Sequence, residues 1–180
     1  MTALINPFDA LAAIGESQVG TQEDSAHTNR GAAILKYQQA TSLDGQGWPW
    51  CAAFVDWCLA QFITQNPLAT RVQRPRTPSA FGLITWAKQQ SCLVWFPSAD
   101  RTQPTRGDLV VYTFSHCGIV IASSRDIFYA VEGNTNTNGS ADGYEVAKRP
   151  RSYADVQAFI HLPAAALPAS VTLDPQKGTV

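Results

Sequence analysis

The hydrophobic period of this chain changes once, near Cys92, and that change limits the folds open to it. Upstream, apolar residues recur at helical spacing, most clearly as Phe54, Val55, Cys58, Leu59 and Phe62. Downstream, the runs 92–96, 108–112, 117–122, 127–132, 144–148 and 156–162 are short and rich in β-branched and aromatic residues, and Gly, Asn, Asp, Ser or Pro separate most of them. Helices followed by strands predict an α+β domain in which the helices pack on one side of a meandering antiparallel sheet.

Local signals set the expected limits of the helices. Asn6 as a cap, Pro7 at the first helical position and Asp9 in the first turn predict an N-terminal helix. Further helices are expected over 29–40 and 50–62, and from a Thr77 cap and Pro78 through Trp86. The 180 residues suit one domain, large enough to bury roughly 70% of its unfolded surface. The domain is expected to cover 1–162, because 163–180 shift to the Ala, Pro, Ser and Thr of a tail. Arg71, Arg74 and Arg76 mark 71–76 as a solvated loop or, alternatively, as one that touches substrate.

Composition excludes several classes. Hydrophobic residues make up 45% and charged residues only 15%, which rules out disorder, coiled coil and collagen. Lys plus Arg is 13 and Asp plus Glu is 14, a net charge of -1, so no nucleic-acid partner is expected. No apolar run approaches the ~18 residues of a membrane span, and no stable membrane insertion is expected. The start of the chain carries Asp9 and no basic region ahead of an apolar stretch, so no secretory signal is expected either.

The most informative segment runs from Gly47 through Trp48, Pro49, Trp50, Cys51, Ala52 and Ala53 to Cys58. A cysteine in the first turn of a helix has the positive dipole end and backbone N–H groups near its sulfur, which favours the thiolate. The Cys51 N–H is also a candidate donor to an oxyanion. Two readings stand on this segment alone: a prepared nucleophile, or a buried cysteine packed among tryptophans. Cys58 lies two turns on, about 10 Å away along the helix, too far for a disulfide with Cys51, and reads as a core thiol. Bridges from Cys92 to Cys117 or to Cys58 remain open.

A thiolate nucleophile needs a base. His27 sits in a polar stretch and His161 near the end of the last strand, whereas His116 opens a strand just after the turn 113–115. Alternation sends His116, Gly118 and Val120 to one face and Cys117, Ile119 and Ile121 to the other, so Cys117 reads as core. The next strand ends in Glu132, Gly133 and Asn134. With a hairpin centred near residues 124 and 125, position 116 falls opposite 132 or 133, which places an orienting carboxylate beside the imidazole. Alternatively, Glu132 ends a strand in water and Asn134 is a turn residue.

The successive motifs Trp50-Cys51-Ala52-Ala53-Phe54-Val55, Gly107-Asp108-Leu109-Val110-Val111-Tyr112, His116-Cys117-Gly118-Ile119-Val120 and Val131-Glu132-Gly133-Asn134-Thr135 resemble those of the CHAP family, the cysteine, histidine-dependent amidohydrolases and peptidases of papain-like fold. Asn29-Arg30-Gly31 and Tyr37-Gln38 are similar to the region that leads into the cysteine in some members. The resemblance implies Cys51 as nucleophile, His116 as base and then acid, Glu132 as the group orienting His116, and Asn134 as a contributor to the same site or a sharer of the orienting role. Cys117 stands where the family often has a hydrophobic residue. Some members bind calcium through aspartates ahead of the cysteine; here only Asp44 lies in the loop just before it, so neither metal nor cofactor is expected. Gln46 is the candidate second oxyanion donor, and Trp48 and Trp50 are candidate walls of a substrate groove or, alternatively, core.

The implied substrate is peptidoglycan, cut as an N-acetylmuramoyl-L-alanine amidase or as a stem-peptide or cross-bridge endopeptidase. A monomeric phage lysin or secreted antibacterial effector is expected, made in the cytoplasm without a signal peptide and reaching the wall after lysis or signal-independent secretion. An immunity or inhibitor protein is the expected protein partner. The alternatives are a cytosolic amidase or peptidase acting on a small glutathione-like conjugate, and a non-catalytic binding module of the same fold.

Overall fold

The change of period at Cys92 separates two layers. A computed structural model describes residues 6–97, 103–138 and 142–164. Four helices come first: α1 (Asp9–Glu16), α2 (Ala32–Gln38), α3 (Cys51–Gln65) and α4 (Ala80–Gln89). Six strands follow: β1 (Leu93–Trp95), β2 (Leu109–Tyr112), β3 (Cys117–Ser123), β4 (Ile127–Thr135), β5 (Glu145–Ser152) and β6 (Val156–His161). The protein is α+β, with helices packed on an antiparallel sheet, as the sequence predicts.

The expected simple meander holds only from β2 to β5. The sheet order is β1-β6-β2-β3-β4-β5, so the last strand inserts between β1 and β2. Helix limits also moved. Ser79 caps α4, its hydroxyl accepting from the Gly82 N–H at 3.2 Å, while Thr77 accepts from the Ser79 N–H one turn earlier. Asn6 accepts from the Phe8 N–H at 3.1 Å and so caps the turn before α1 rather than α1 itself. Of the expected tail, residues 165–180 lie outside the described residues.

Alternation divides the sheet between two apolar clusters. Leu109, Val111, Cys117, Ile119, Val131, Val146 and Ile160 join Leu11, Phe54, Val55 and Leu59 in the main core under the helices. Val110, Tyr112, Val120, Phe128, Ala130 and Phe159 form the second cluster, against which Tyr153 packs. Helix α3 approaches the sheet closely because β4 carries Gly133, where an added Cβ would lie 2.6 Å from both the Phe54 Cβ and the Trp50 ring. That contact fixes the start of α3 against β4.

One buried group in α3 works against stability. Asp56 is fully buried and neither carboxyl oxygen has a hydrogen-bond partner among the described residues. Burial pushes its carboxyl up to about 8, and the nearby Thr77 backbone and the charges of Arg74 and Arg76, none of which completes a hydrogen bond to it, offset only part of that rise. The folded protein therefore keeps the proton that the unfolded chain loses above about 3.8, and stability falls as pH rises through that window to about 8. Asp56→Asn, neutral at every pH, is expected to be more stable than wild type at pH 8 by on the order of 2 kcal/mol and similar at pH 4. Urea titrations at the two pH values measure this; an equal effect at both would contradict it.

Candidate active site

Cys51 is the first residue of α3, and no side chain caps that helix start. The first-turn N–H groups are thus available to an anion, and the Ala52 N–H hydrogen-bonds to the Cys51 sulfur. Cys51 is 6% exposed. Its thiol lies well below the ordinary range: the largest cause is hydrogen bonding from the Cys117 thiol, burial opposes it, and the hydrogen bond and charge of His116 add to the lowering.

Cys117 occupies the core as expected and also meets Cys51. It is buried in the main core, as alternation predicts, but the face it shares with Ile119 is the face that α3 covers. The same alternation that separates it from His116 therefore brings it to Cys51, where its S–H supports the thiolate. Burial, then the hydrogen bond to Cys51 and the Cys51 charge, push the Cys117 thiol up, so it stays protonated as a donor. All four cysteines are free and buried, and neither of the two open disulfide pairings is formed.

His116 sits at the rim between β2 and β3, completely buried. Its Nε2 lies 2.9 Å from Glu132 Oε2, while Nδ1 has no completed hydrogen bond and is the nitrogen left for the cysteine. Contacts of this kind are often long before substrate binds. Burial would lower the imidazole pKa, but the nearness and charge of Cys51 and the hydrogen bond and charge of Glu132 raise it to about 9. Thiolate and imidazolium are the matched pair of a cysteine hydrolase at neutral pH.

Glu132 reaches His116 by a route that simple pairing does not give. The β3–β4 hairpin pairs Ser123 with Phe128 and Ile119 with Val131, with a bulge between Val120 and Ala122. The expected pairing of 116 with 132 or 133 is therefore displaced, and Glu132 lies beside Gly118. A Cβ at Gly118 would stand 2.7 Å from Glu132 Cγ and 2.9 Å from the Val131 carbonyl oxygen. The absent side chain is what lets the glutamate run along the strand to the imidazole. Gly118→Ala is expected to cost about 1–3 kcal/mol from overpacking, with a parallel loss of thiolate reactivity at Cys51. Thermal unfolding and alkylation rates check this, and wild-type values for both would contradict it.

The Glu132 carboxylate has no solvent contact, and burial raises its pKa. Hydrogen bonds from Arg151 and His116, with their charges, outweigh burial and hold it below the ordinary value. Tyr112 completes the set, its hydroxyl donating to Oε1 at 2.7 Å. Sequence reasoning missed Tyr112 and Arg151. Tyr112 ends the Gly107–Tyr112 motif, but the polar run in β5 gives Arg151 no distinguishing local signal.

Other expected site residues fall elsewhere. Asn134 is buried with φ 56° in the irregular stretch between Glu132 and Thr135, and its amide donates to Asp142 rather than to His116. It does not share the orienting role. Trp50 is completely buried, its indole N–H donating to Glu23 at 2.8 Å and its ring stacked on Tyr37, so it is core and not a groove wall. Trp48 is half-buried and packs against the same core, its carbonyl accepting from Gln38. Gln46 is exposed in the loop before α3. His161 pairs with Asp108 at 2.6 Å, and His27 stacks on Tyr144. Arg74 donates to the Ala40 carbonyl and borders an open groove of about 580 Å³ that contains neither Cys51 nor His116. Among the described residues, no group of three or more His, Cys, Asp or Glu is arranged to hold a metal ion, and no helix is long and apolar enough to cross a membrane.

No family model and no curated protein matches the chain. Among solved structures, it is similar to that of Ly7917, with 16% sequence identity and a TM-score of 0.49 over 87% of this chain and 62% of the other. The chain thus spans less than two thirds of the length of that neighbour.

Proposed function

We propose that the protein is a cysteine-dependent amide hydrolase of the CHAP kind that cleaves bacterial peptidoglycan. The observation that carries this reading is the buried His116–Glu132 pair at 2.9 Å, with the unpartnered His116 Nδ1 on the side of a cysteine at a helix start. The Cys51 thiolate attacks the carbonyl carbon, and the developing oxyanion is met by N–H groups at the start of α3. The His116 imidazolium gives its proton to the leaving amine. Water, deprotonated by His116, then attacks the acyl-enzyme and releases the acid. Glu132 holds Nε2 throughout, which keeps the ring in register and stabilises its charged form.

Peptidoglycan as substrate follows from the motif resemblance, with either the sugar–alanine amide or a peptide bond of the stem or bridge as the target. Action on the wall after phage lysis or after secretion belongs to the same reading. The test is digestion of purified sacculi followed by mass analysis of the released fragments, whose new termini identify the bond. Fragments from wild type and none from His116→Ala are expected. No release by the folded wild-type protein from any sacculus type would overturn the substrate assignment.

A further inference from the structure

The Glu132 carboxylate is fully engaged before any substrate arrives. Oε1 accepts from the Tyr112 hydroxyl at 2.7 Å and from Arg151 Nε at 2.8 Å. Oε2 accepts from Arg151 Nη2 as well as lying 2.9 Å from His116 Nε2. A carboxylate offers about four lone-pair sites, and all are used here. Arg151 is held in turn, its guanidinium 5.0 Å from the centre of the Tyr112 ring and 5.5 Å from that of Phe114. Its side chain is only 9% exposed. Planar, bidentate contact of this kind fixes a carboxylate in orientation as well as in charge.

Charge balance gives the clamp a further consequence. A Cys51 thiolate and the Glu132 carboxylate are two negative charges in a site closed to water, and the His116 imidazolium answers only one of them. An excess buried negative charge favours proton uptake, at the thiolate or at the carboxylate. The charged and titratable groups around the site are Asp56 behind Cys117 on α3, Tyr112 on β2, Cys117 on β3, Glu132 on β4 and Arg151 on β5. Arg151 is the cation among them that restores neutrality.

We propose that Arg151 is a positioning residue of this site, the counter-charge that keeps Glu132 ionised against His116 and so lets Cys51 rest as a thiolate. The role rests on the cysteine-hydrolase reading and deepens it: Arg151 acts through Glu132. It also explains why an arginine from β5 is buried at the rim instead of lying in water.

The test is the pH dependence of Cys51 alkylation by iodoacetamide, followed on the Cys51 peptide by mass spectrometry. Wild type should react with a midpoint well below the ~8.5 of a free thiol. Arg151→Gln keeps an amide donor but removes the charge, and should raise the midpoint by about one pH unit, slowing alkylation about tenfold at pH 6. Arg151→Lys keeps the charge and should recover most of that loss. Tyr112→Phe removes a neutral donor and should move the midpoint less than Arg151→Gln does. The double variant Arg151→Gln with Glu132→Gln lacks the ionised carboxylate through which Arg151 acts, and should have the same midpoint as Glu132→Gln alone. If Arg151→Gln alone does not fold, this comparison decides: a midpoint within about half a pH unit of Glu132→Gln supports the role, and a further rise overturns it. A wild-type midpoint in folded Arg151→Gln, or an equal shift in Arg151→Lys or Tyr112→Phe, also overturns it. A wild-type midpoint near ~8.5 would instead defeat the cysteine-hydrolase reading itself.

Discussion

Cys51→Ala is expected to reduce amide hydrolysis by roughly 10⁴-fold or more, because removing the nucleophile of a covalent mechanism leaves only the residual catalysis of the binding site. Cys51→Ser should fall nearly as far. A serine hydroxyl does not ionise near neutrality, so the hydrogen bond from Cys117, the Ala52 N–H and the His116 charge that lower the thiol would have no anion to hold. Stability should change by no more than about 1 kcal/mol in the alanine variant, since one small buried group is lost. The rate of fragment release from sacculi, with the unfolding midpoint as a control for folding, measures both. Wild-type turnover by folded Cys51→Ala would remove Cys51 from the mechanism. The pH profile offers an independent reading: activity should rise as Cys51 ionises, well below 9, and fall as His116, raised to about 9, loses the proton destined for the leaving amine.

Glu132→Leu is the variant expected to damage the fold most. It leaves the Arg151 guanidinium, the Tyr112 hydroxyl and His116 Nε2 without the acceptor they share. Breaking a buried ion pair by removing one partner costs about 3–5 kcal/mol, because the remaining charge stays buried and uncompensated. Glu132→Gln keeps the shape and part of the hydrogen bonding, so its loss should be smaller. The pH dependence follows from the lowered Glu132 pKa. Above its ordinary value, 4.5, the carboxylate is charged in both states and its stabilising effect is fully present. As pH falls through the lower folded value the carboxylate is protonated and that stability is lost. Glu132→Gln should therefore have a flatter acid limb in urea titrations between about pH 5 and pH 2. An unchanged limb would show that other carboxylates govern acid unfolding.

The elements were readable because their signals are local. The apolar spacing through Phe54, Cys58 and Phe62 placed α3, and β-branched runs bounded by turn residues placed all six strands to within a few residues. Cys51 and His116 were identifiable for the same reason, one by its place at a helix start and the other by its place at a strand start. The helix caps were less certain, because Thr77 and Ser79 both carry a hydroxyl at a plausible position, and the geometry of the turn decides which one meets the Gly82 N–H.

What the sequence by itself determined, then, was the order of helices and strands and the positions of Cys51 and His116, the proposed nucleophile and base, since these depend on periods of two to four residues. Only the tertiary structure decided what surrounds that pair. The bulge between Val120 and Ala122 set the register that lays Glu132 over Gly118, and the insertion of β6 between β1 and β2 depends on pairing across more than forty residues. Gly133 let α3 settle close enough to β4 for Cys117 to meet Cys51. Arg151 became part of the site because a long side chain from β5 crosses Tyr112 to reach Glu132. Contacts of this kind come from the packing of distant segments, and no local pattern in the chain encodes them.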